Sequence, residues 1–365
     1  MAMISLRHVS KVYPGAERPA VGDLSLEVAE GEIAVLVGPS GCGKTTTLKM
    51  INRLIEPSGG EIVVAGRDVT AMSPSELRRG IGYVIQQVGL FPHRTLAQNI
   101  ATVPRLLRWD EARIEARVDE LIGVVDLDHS LRDRYPSELS GGQRQRAGVA
   151  RALAADPPVL LMDEPFGAVD PIVRGRLQDE LLDLQSQLGK TIVLVTHDID
   201  EAVKLGDRIA ILNVGGVLEQ YDTPEEILRH PANDFVVGFL GSDRGLKRLS
   251  LIPISEVELD PGPVVAPAAS TDDARAVMAA YGVDWVGVGE GRRLDGWVAG
   301  ADLDGHADMT GVPLQPFRTR LGRDASLRQA LDAVVSSRTS VAAVFDGDAY
   351  LGMLTADSIG EAIIQ

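Results

Sequence analysis

Gly38-Pro39-Ser40-Gly41-Cys42-Gly43-Lys44-Thr45-Thr46 fits the pattern G-x-x-x-x-G-K-[ST], a loop built to hold phosphate groups. Glycines let the backbone wrap close to an anion and aim N–H groups at it. The helix expected from Thr45 onward adds its positive dipole end. In such a loop Lys44 reaches the β and γ phosphates, and Thr45 holds Mg²⁺. The flanks agree with this reading. Residues 33–37 are an apolar strand before the loop, and 46–54 read as a helix after it. Cys42 admits two readings, a redox-sensitive thiol or a small tolerated residue. It is the only cysteine in the chain, so no partner thiol exists within it, and the second reading is favoured.

Working outward, the clearest strands are 32–37, 159–162 and 191–196. Each is a continuous apolar run rather than an alternating one, which suits strands buried on both faces. Residues 1–240 therefore read as an α/β unit. Ligands of open parallel sheets sit beyond the carboxyl ends of the strands, and chemistry-bearing residues follow each run. Val159-Leu-Leu-Met-Asp163-Glu164 ends in two carboxylates. Asp163 is expected to contact Mg²⁺ through water. Glu164 is expected to polarise an attacking water as general base. His197 follows the third run.

Leu139-Ser140-Gly141-Gly142-Gln143-Arg144-Gln145-Arg146 opens a helical stretch running to about residue 155. Ser140 and the two glycines expose N–H groups at a helix start, a second anion site. One triphosphate does not need two cradles on one chain, so this one is expected to complete a site on a second copy. With this stretch lying between the phosphate loop and the carboxylate pair, residues 1–240 closely resemble the ABC transporter ATPase family.

The resemblance implies further roles. Tyr13 matches the aromatic that stacks on adenine. Gln86 matches the glutamine that links Mg²⁺ and water to the transport subunit; Gln87 is its neighbour. Asp170 matches the loop that communicates across the dimer, and His197 the switch that senses the γ phosphate. Residues 38–46, Ser140, Gly141, Gly142 and Gln143 become nucleotide contacts, and Thr45, Gln86 and Asp163 the metal set. The implied cofactors are ATP and Mg²⁺. The implied partners are a second copy packed head to tail, transmembrane permease subunits and, indirectly, an extracytoplasmic substrate-binding protein. The segment beginning Gly89-Leu90-Phe91 belongs to the helical subdomain that meets the permease; Leu90 and Phe91 are either contacts or internal packing.

The stretches 82–93, 162–171 and 195–202 resemble ATPases of quaternary-amine importers, which carry glycine betaine, choline, carnitine or proline betaine. The alternative is the same motor in an importer of another small solute, an amino acid or a different cation. A connector is expected at 241–262. Residues 263–365 contain a duplication with an offset of about 55: a helix and two strands, twice. It resembles a pair of CBS modules. The pattern is incomplete, since Ala299 stands where Thr is usual in the first copy and Ser358 where Asp is usual in the second. The expected fold is thus an α/β P-loop ATPase domain of ABC type with a helical subdomain, then a small α+β tandem module that regulates or braces the dimer.

Bulk properties set outer limits. The net charge of -16 argues against nucleic acid as a partner. A single cysteine fits a reducing compartment. The first ten residues lack the apolar core of a leader, and no apolar run approaches the ~18 residues of a membrane span. The expected location is peripheral, on the cytoplasmic face of the inner membrane. A non-transport ABC protein, a repair or translation factor, is disfavoured by the single phosphate loop and the absence of a heptad run.

Overall fold

The three uninterrupted apolar runs become adjacent strands at the centre of one sheet. In the computed structural model, which describes residues 2–85, 89–167 and 169–364, a six-stranded sheet runs Val217–Asp222, Arg208–Asn213, Ile33–Val37, Thr191–Val195, Val159–Asp163, Ile81–Val84. All neighbouring pairs are parallel except the antiparallel outer pair Val217–Asp222 and Arg208–Asn213. Every residue of the three central strands is buried. That is why they carry no alternation: both faces are covered, and each Val, Leu or Ile so buried contributes about 1.5–3 kcal/mol.

A second, antiparallel sheet orders Val21–Ala29, Ala2–Lys11, Gly59–Val64 and Arg67–Asp68. Here the pattern does alternate: Leu24, Leu26 and Val28 are buried while their neighbours face out. The sheet shares one apolar cluster with Leu36, Leu161 and Val195 of the central strands, so both sheets support the phosphate loop. A helical region follows, with Leu96–Ile100, Thr102–Leu106, Glu111–Val124 and Gly141–Leu153. Its starts are set by caps: Thr95 with Gln98, Asp110 on the Arg113 N–H, and Ser140 with Gln143.

The chain divides after Gly241 into two units, Met1–Gly241 and Ser242–Gln365. This changes the reading of 241–262 as a connector. Helix Arg244–Leu249 and the residues after it belong to the second unit. Leu249 and Ile254 are buried there with Leu327, Ala330 and Val344. The backbone is tied in as well: Ile254 N–H donates to Ala325 O (2.8 Å) and Leu327 N–H to Ile252 O (2.9 Å). Apolar residues at 249, 252 and 254 need a core, and the second repeat supplies it.

The duplication carries over into strand register. Val264–Val265 pairs parallel with Trp285–Glu290, which pairs antiparallel with Arg293–Ala299; Arg320–Leu321, Ala342–Asp346 and Ala349–Leu354 repeat the arrangement. Val288 lies opposite Gly296 and Val344 opposite Gly352, and in each copy the ladder shifts at the next residue. The helices Thr271–Tyr281 and Leu327–Ser336 both begin with a serine capping box, at Ser270 and Ser326. Trp285, Trp297, Phe345 and Tyr350, drawn from both copies, pack in one cluster.

Candidate active site

The strand Ile33–Val37 delivers the chain into the loop, and helix Lys44–Ile51 leaves it. Gly43 is the N-cap, with φ 97°. Gly38 has φ 150°, and a Cβ there would lie 2.1 Å from Leu212 O. The loop thus threads against the neighbouring strand Arg208–Asn213, which only glycine permits. Gly38→Ala is accordingly expected to lower the apparent Tm by several degrees and to weaken nucleotide binding, through about 1–3 kcal/mol of strain. Differential scanning calorimetry and nucleotide titration check this; unchanged values for both would contradict the close approach.

The loop surrounds a cavity of about 620 Å³ lined by Ala20, Ser40 to Thr46, Glu164 and His197. Lys44, one of the lining residues, is buried. Its Nζ donates to Gly38 O (2.7 Å) and Pro39 O (3.1 Å), so the ammonium fills the hole that the loop encloses. Cys42 is fully buried in the core beneath the loop, its Sγ 3.6 Å from Lys44 Nζ. Burial removes the access that a redox-sensing thiol requires and supports the plainer reading.

Thr45 Oγ1 donates to Asp163 Oδ1 at 2.9 Å. The two residues sit 118 positions apart in the chain and meet because Thr45 starts the helix that follows strand Ile33–Val37, and Asp163 ends a strand of the same sheet. Burial pushes the Asp163 carboxyl above the usual range, partly offset by the Thr45 hydrogen bond. A hydroxyl and a carboxylate beside a phosphate cradle are hard oxygen ligands of the kind Mg²⁺ takes. They fit that ion and would hold it there.

Glu164, the first residue past the strand Val159–Asp163, has φ 46°, a left-handed conformation that a glutamate rarely adopts. Its N–H donates to Val195 O at 2.9 Å, which holds the turn. His197 Nδ1 lies 3.4 Å from Glu164 Oε1. Strands Val159–Asp163 and Thr191–Val195 are parallel neighbours, so their carboxyl ends bring this acid and this histidine to one wall of the cavity. The site is equipped to seat a triphosphate and present a carboxylate and an imidazole to its far end.

Other expected residues lie elsewhere. Ser140, Gly141, Gly142 and Gln143 do not line this cavity. Ser140 caps its own helix, accepting from Gln143 N–H and donating its backbone N–H to Gln143 Oε1. Asp170 is also outside the lining. Tyr13 is half-exposed, with Lys11 Nζ 5.3 Å from its ring centre, and is not a core side chain. Gln86, and Gln87 beside it, lie outside the described residues. Phe91 is exposed, with the guanidinium of Arg94 4.9 Å from its ring. Ala20 lines the cavity and was not singled out in the sequence; a small apolar residue before a strand carries no signal of its own.

Residues 21–167 match the model of the family described as ABC transporter. The chain is 46% identical to the osmoprotectant import ATP-binding protein OsmV of Salmonella typhimurium, over 98% of this chain and 96% of that protein. It is 55% identical to the glycine betaine/carnitine/choline transport ATP-binding protein OpuCA of Bacillus subtilis, over 74% of this chain and 70% of that one. Among solved structures, a dimeric ATP-binding cassette in a post-hydrolysis state with ADP and Pi is 34% identical, with a TM-score of 0.55, over 61% of this chain and 99% of that one.

Proposed function

Because this chain belongs to the ATP-binding subunits of ABC transporters, we infer that it hydrolyses ATP to power an importer of osmoprotectants such as glycine betaine, choline or carnitine. The observation that carries the cargo class is the near end-to-end likeness to an osmoprotectant import protein, second unit included. Reconstitution with the cognate permease in vesicles tests it. ATP-driven betaine, choline or carnitine uptake is expected. Uptake of an unrelated amino acid or cation in place of these would overturn the cargo, and uptake that survives Glu164→Gln would overturn the mechanism.

The chemistry then falls to named groups. The loop N–H groups and Lys44 seat the phosphates, Lys44 exchanging the carbonyls of Gly38 and Pro39 for phosphate oxygens. Thr45 and Asp163 would hold Mg²⁺, which when bound supplies neutralisation of developing phosphate charge; Gln86 would be a further ligand. Glu164 takes the proton of the attacking water, and His197 meets the γ phosphate beside it. Tyr13 stacks on the adenine. Ser140, Gly141, Gly142 and Gln143 serve the site of a second copy, because none of them lines the cavity of its own chain. A dimer closed by triphosphate and opened by hydrolysis, with Asp170 at the seam, is the resulting two-state device.

The chain associates with the membrane through its permease partners. Among the described residues no helix is long and apolar enough to cross a membrane. The cytoplasmic face of the inner membrane is the location this reading favours, with the substrate-binding protein acting from the far side. The second unit, CBS-like in its paired β-α-β-β repeats, is read as a regulatory or dimer-bracing module. Its seam is filled by Trp285, Trp297, Phe345 and Tyr350, which speaks against a second nucleotide there. Equilibrium dialysis of the intact chain is expected to show one ATP per chain; two would assign the second to this unit.

A further inference from the structure

The loops that carry Glu164 and His197 each run into a helix, and those helices are laced together. The Glu164 turn continues through Gly167, whose N–H donates to Glu164 O (3.2 Å), and Val169, whose N–H donates to Phe166 O (3.1 Å), into helix Pro171–Leu188. The His197 loop continues through Asp198, the N-cap, into helix Ile199–Leu205. Asp198, Glu201 and Lys204 recur every three residues and so share one face. Each reaches the first helix. Arg174 Nη1 stands 3.7 Å from Asp198 Oδ2, and Arg174 Nη2 donates to Val169 O at 3.3 Å. Gln178 Nε2 donates to Glu201 Oε1 at 3.1 Å. Lys204 Nζ donates to Gly175 O (3.0 Å) and pairs with Asp179 Oδ1 (2.6 Å).

The middle rung is the unusual one. Glu201 and Gln178 are each only 6% exposed. A buried carboxylate costs stability unless it is hydrogen-bonded, and burial does push the Glu201 carboxyl above its usual range. An apolar pair would hold two helices together at lower cost. What a hydrogen-bonded pair adds is a fixed register. At the other end of these helices lies a carboxylate–imidazole contact of 3.4 Å, where displacement by about 1 Å can cost up to 10²-fold in rate.

We propose that Gln178 and Glu201, flanked by Arg174–Asp198 and Lys204–Asp179, are positioning residues that register the Glu164 loop against the His197 loop behind the phosphate cavity. This rests on the reading of Glu164 and His197 as catalytic. The ladder acts on their mutual placement, not on nucleotide binding, since none of its members lines the cavity.

The test is steady-state hydrolysis by the assembled transporter, with binding of a non-hydrolysable ATP analogue measured in parallel. Glu201→Ala and Gln178→Ala are each expected to lower kcat by about tenfold with analogue Kd within about twofold. The exchange Q178E/E201Q, which rebuilds the pair with donor and acceptor interchanged, is expected to recover kcat to within about threefold of wild type. Singles within twofold of wild type, or an exchange variant as slow as the singles though equally folded by thermal melting, would overturn the proposal. Should the alanine variants fail to fold, Arg174→Ala and Lys204→Ala remove half-exposed rungs and carry the test. About threefold losses in kcat with unchanged analogue binding are expected from each, and no loss overturns it. Wild type and Glu164→Gln run alongside: if these two do not differ, the catalytic reading fails rather than the ladder.

Discussion

Glu164→Gln is expected to lower ATP turnover by about 10²–10⁴-fold, the span that a positioned general base supplies, while nucleotide binding is retained. Glutamine keeps the shape of the side chain and an oxygen toward His197 Nδ1, 3.4 Å away. The backbone hydrogen bond from residue 164 to Val195 O (2.9 Å), which holds the left-handed turn, does not involve the side chain. The proton acceptor is lost. Removing a negative charge beside the γ phosphate also relieves repulsion, so the triphosphate-bound dimer is expected to accumulate. Phosphate release under saturating ATP, with size-exclusion chromatography of the same sample, reads both effects. Turnover within tenfold of wild type would transfer the general-base role to another group.

Lys44→Ala is expected to weaken ATP binding by about 100-fold or more. Lys44 Nζ makes hydrogen bonds to Gly38 O and Pro39 O inside the loop. Anionic phosphate oxygens replace these neutral carbonyl acceptors, a net gain of about 1.5 kcal/mol per bond. Two such bonds amount to roughly a hundredfold or more in Kd. The same substitution removes the Lys44 donor from Gly38 O and Pro39 O, of which Pro39 O keeps the Cys42 N–H (3.3 Å), so a lower apparent Tm without nucleotide is expected too. Lys44→Arg is not a conservative replacement, because a planar guanidinium does not fit a hole closed by the loop's own backbone. Isothermal titration of wild type and variant measures the difference; an affinity loss below about threefold would place the phosphates elsewhere.

Legibility in the sequence followed the range over which each signal acts. The phosphate loop was legible because its chemistry is local: Gly38 to Thr46 shape one turn and one helix start. The central strands were legible because burial on both faces leaves unbroken apolar runs. The antiparallel sheet was harder to see, since Val21–Ala29 and Ala2–Lys11 pair across a turn with register shifts that no periodicity announces. The segment 241–262 looked like a connector because it is short of long apolar runs. Leu249 and Ile254 gain a core only from residues near 327 and 344, far along the chain. Ala20 entered the cavity wall through packing beside Gly43 alone.

By itself the sequence determined which groups are present and in what local frame: the glycine loop, the acid pair Asp163–Glu164, the capped Ser140 stretch and the duplicated tail. These depend on short-range backbone geometry and hydrogen bonding, which neighbouring residues dictate. The tertiary structure decided what meets what. Thr45 reaches Asp163 across 118 positions, and Glu164 faces His197 because two parallel strands end side by side. Gln178 locks onto Glu201 because the helices that follow those strands pack against each other. Such contacts form only when strand order is fixed, and strand order is a property of the whole sheet, set by which buried faces fit together.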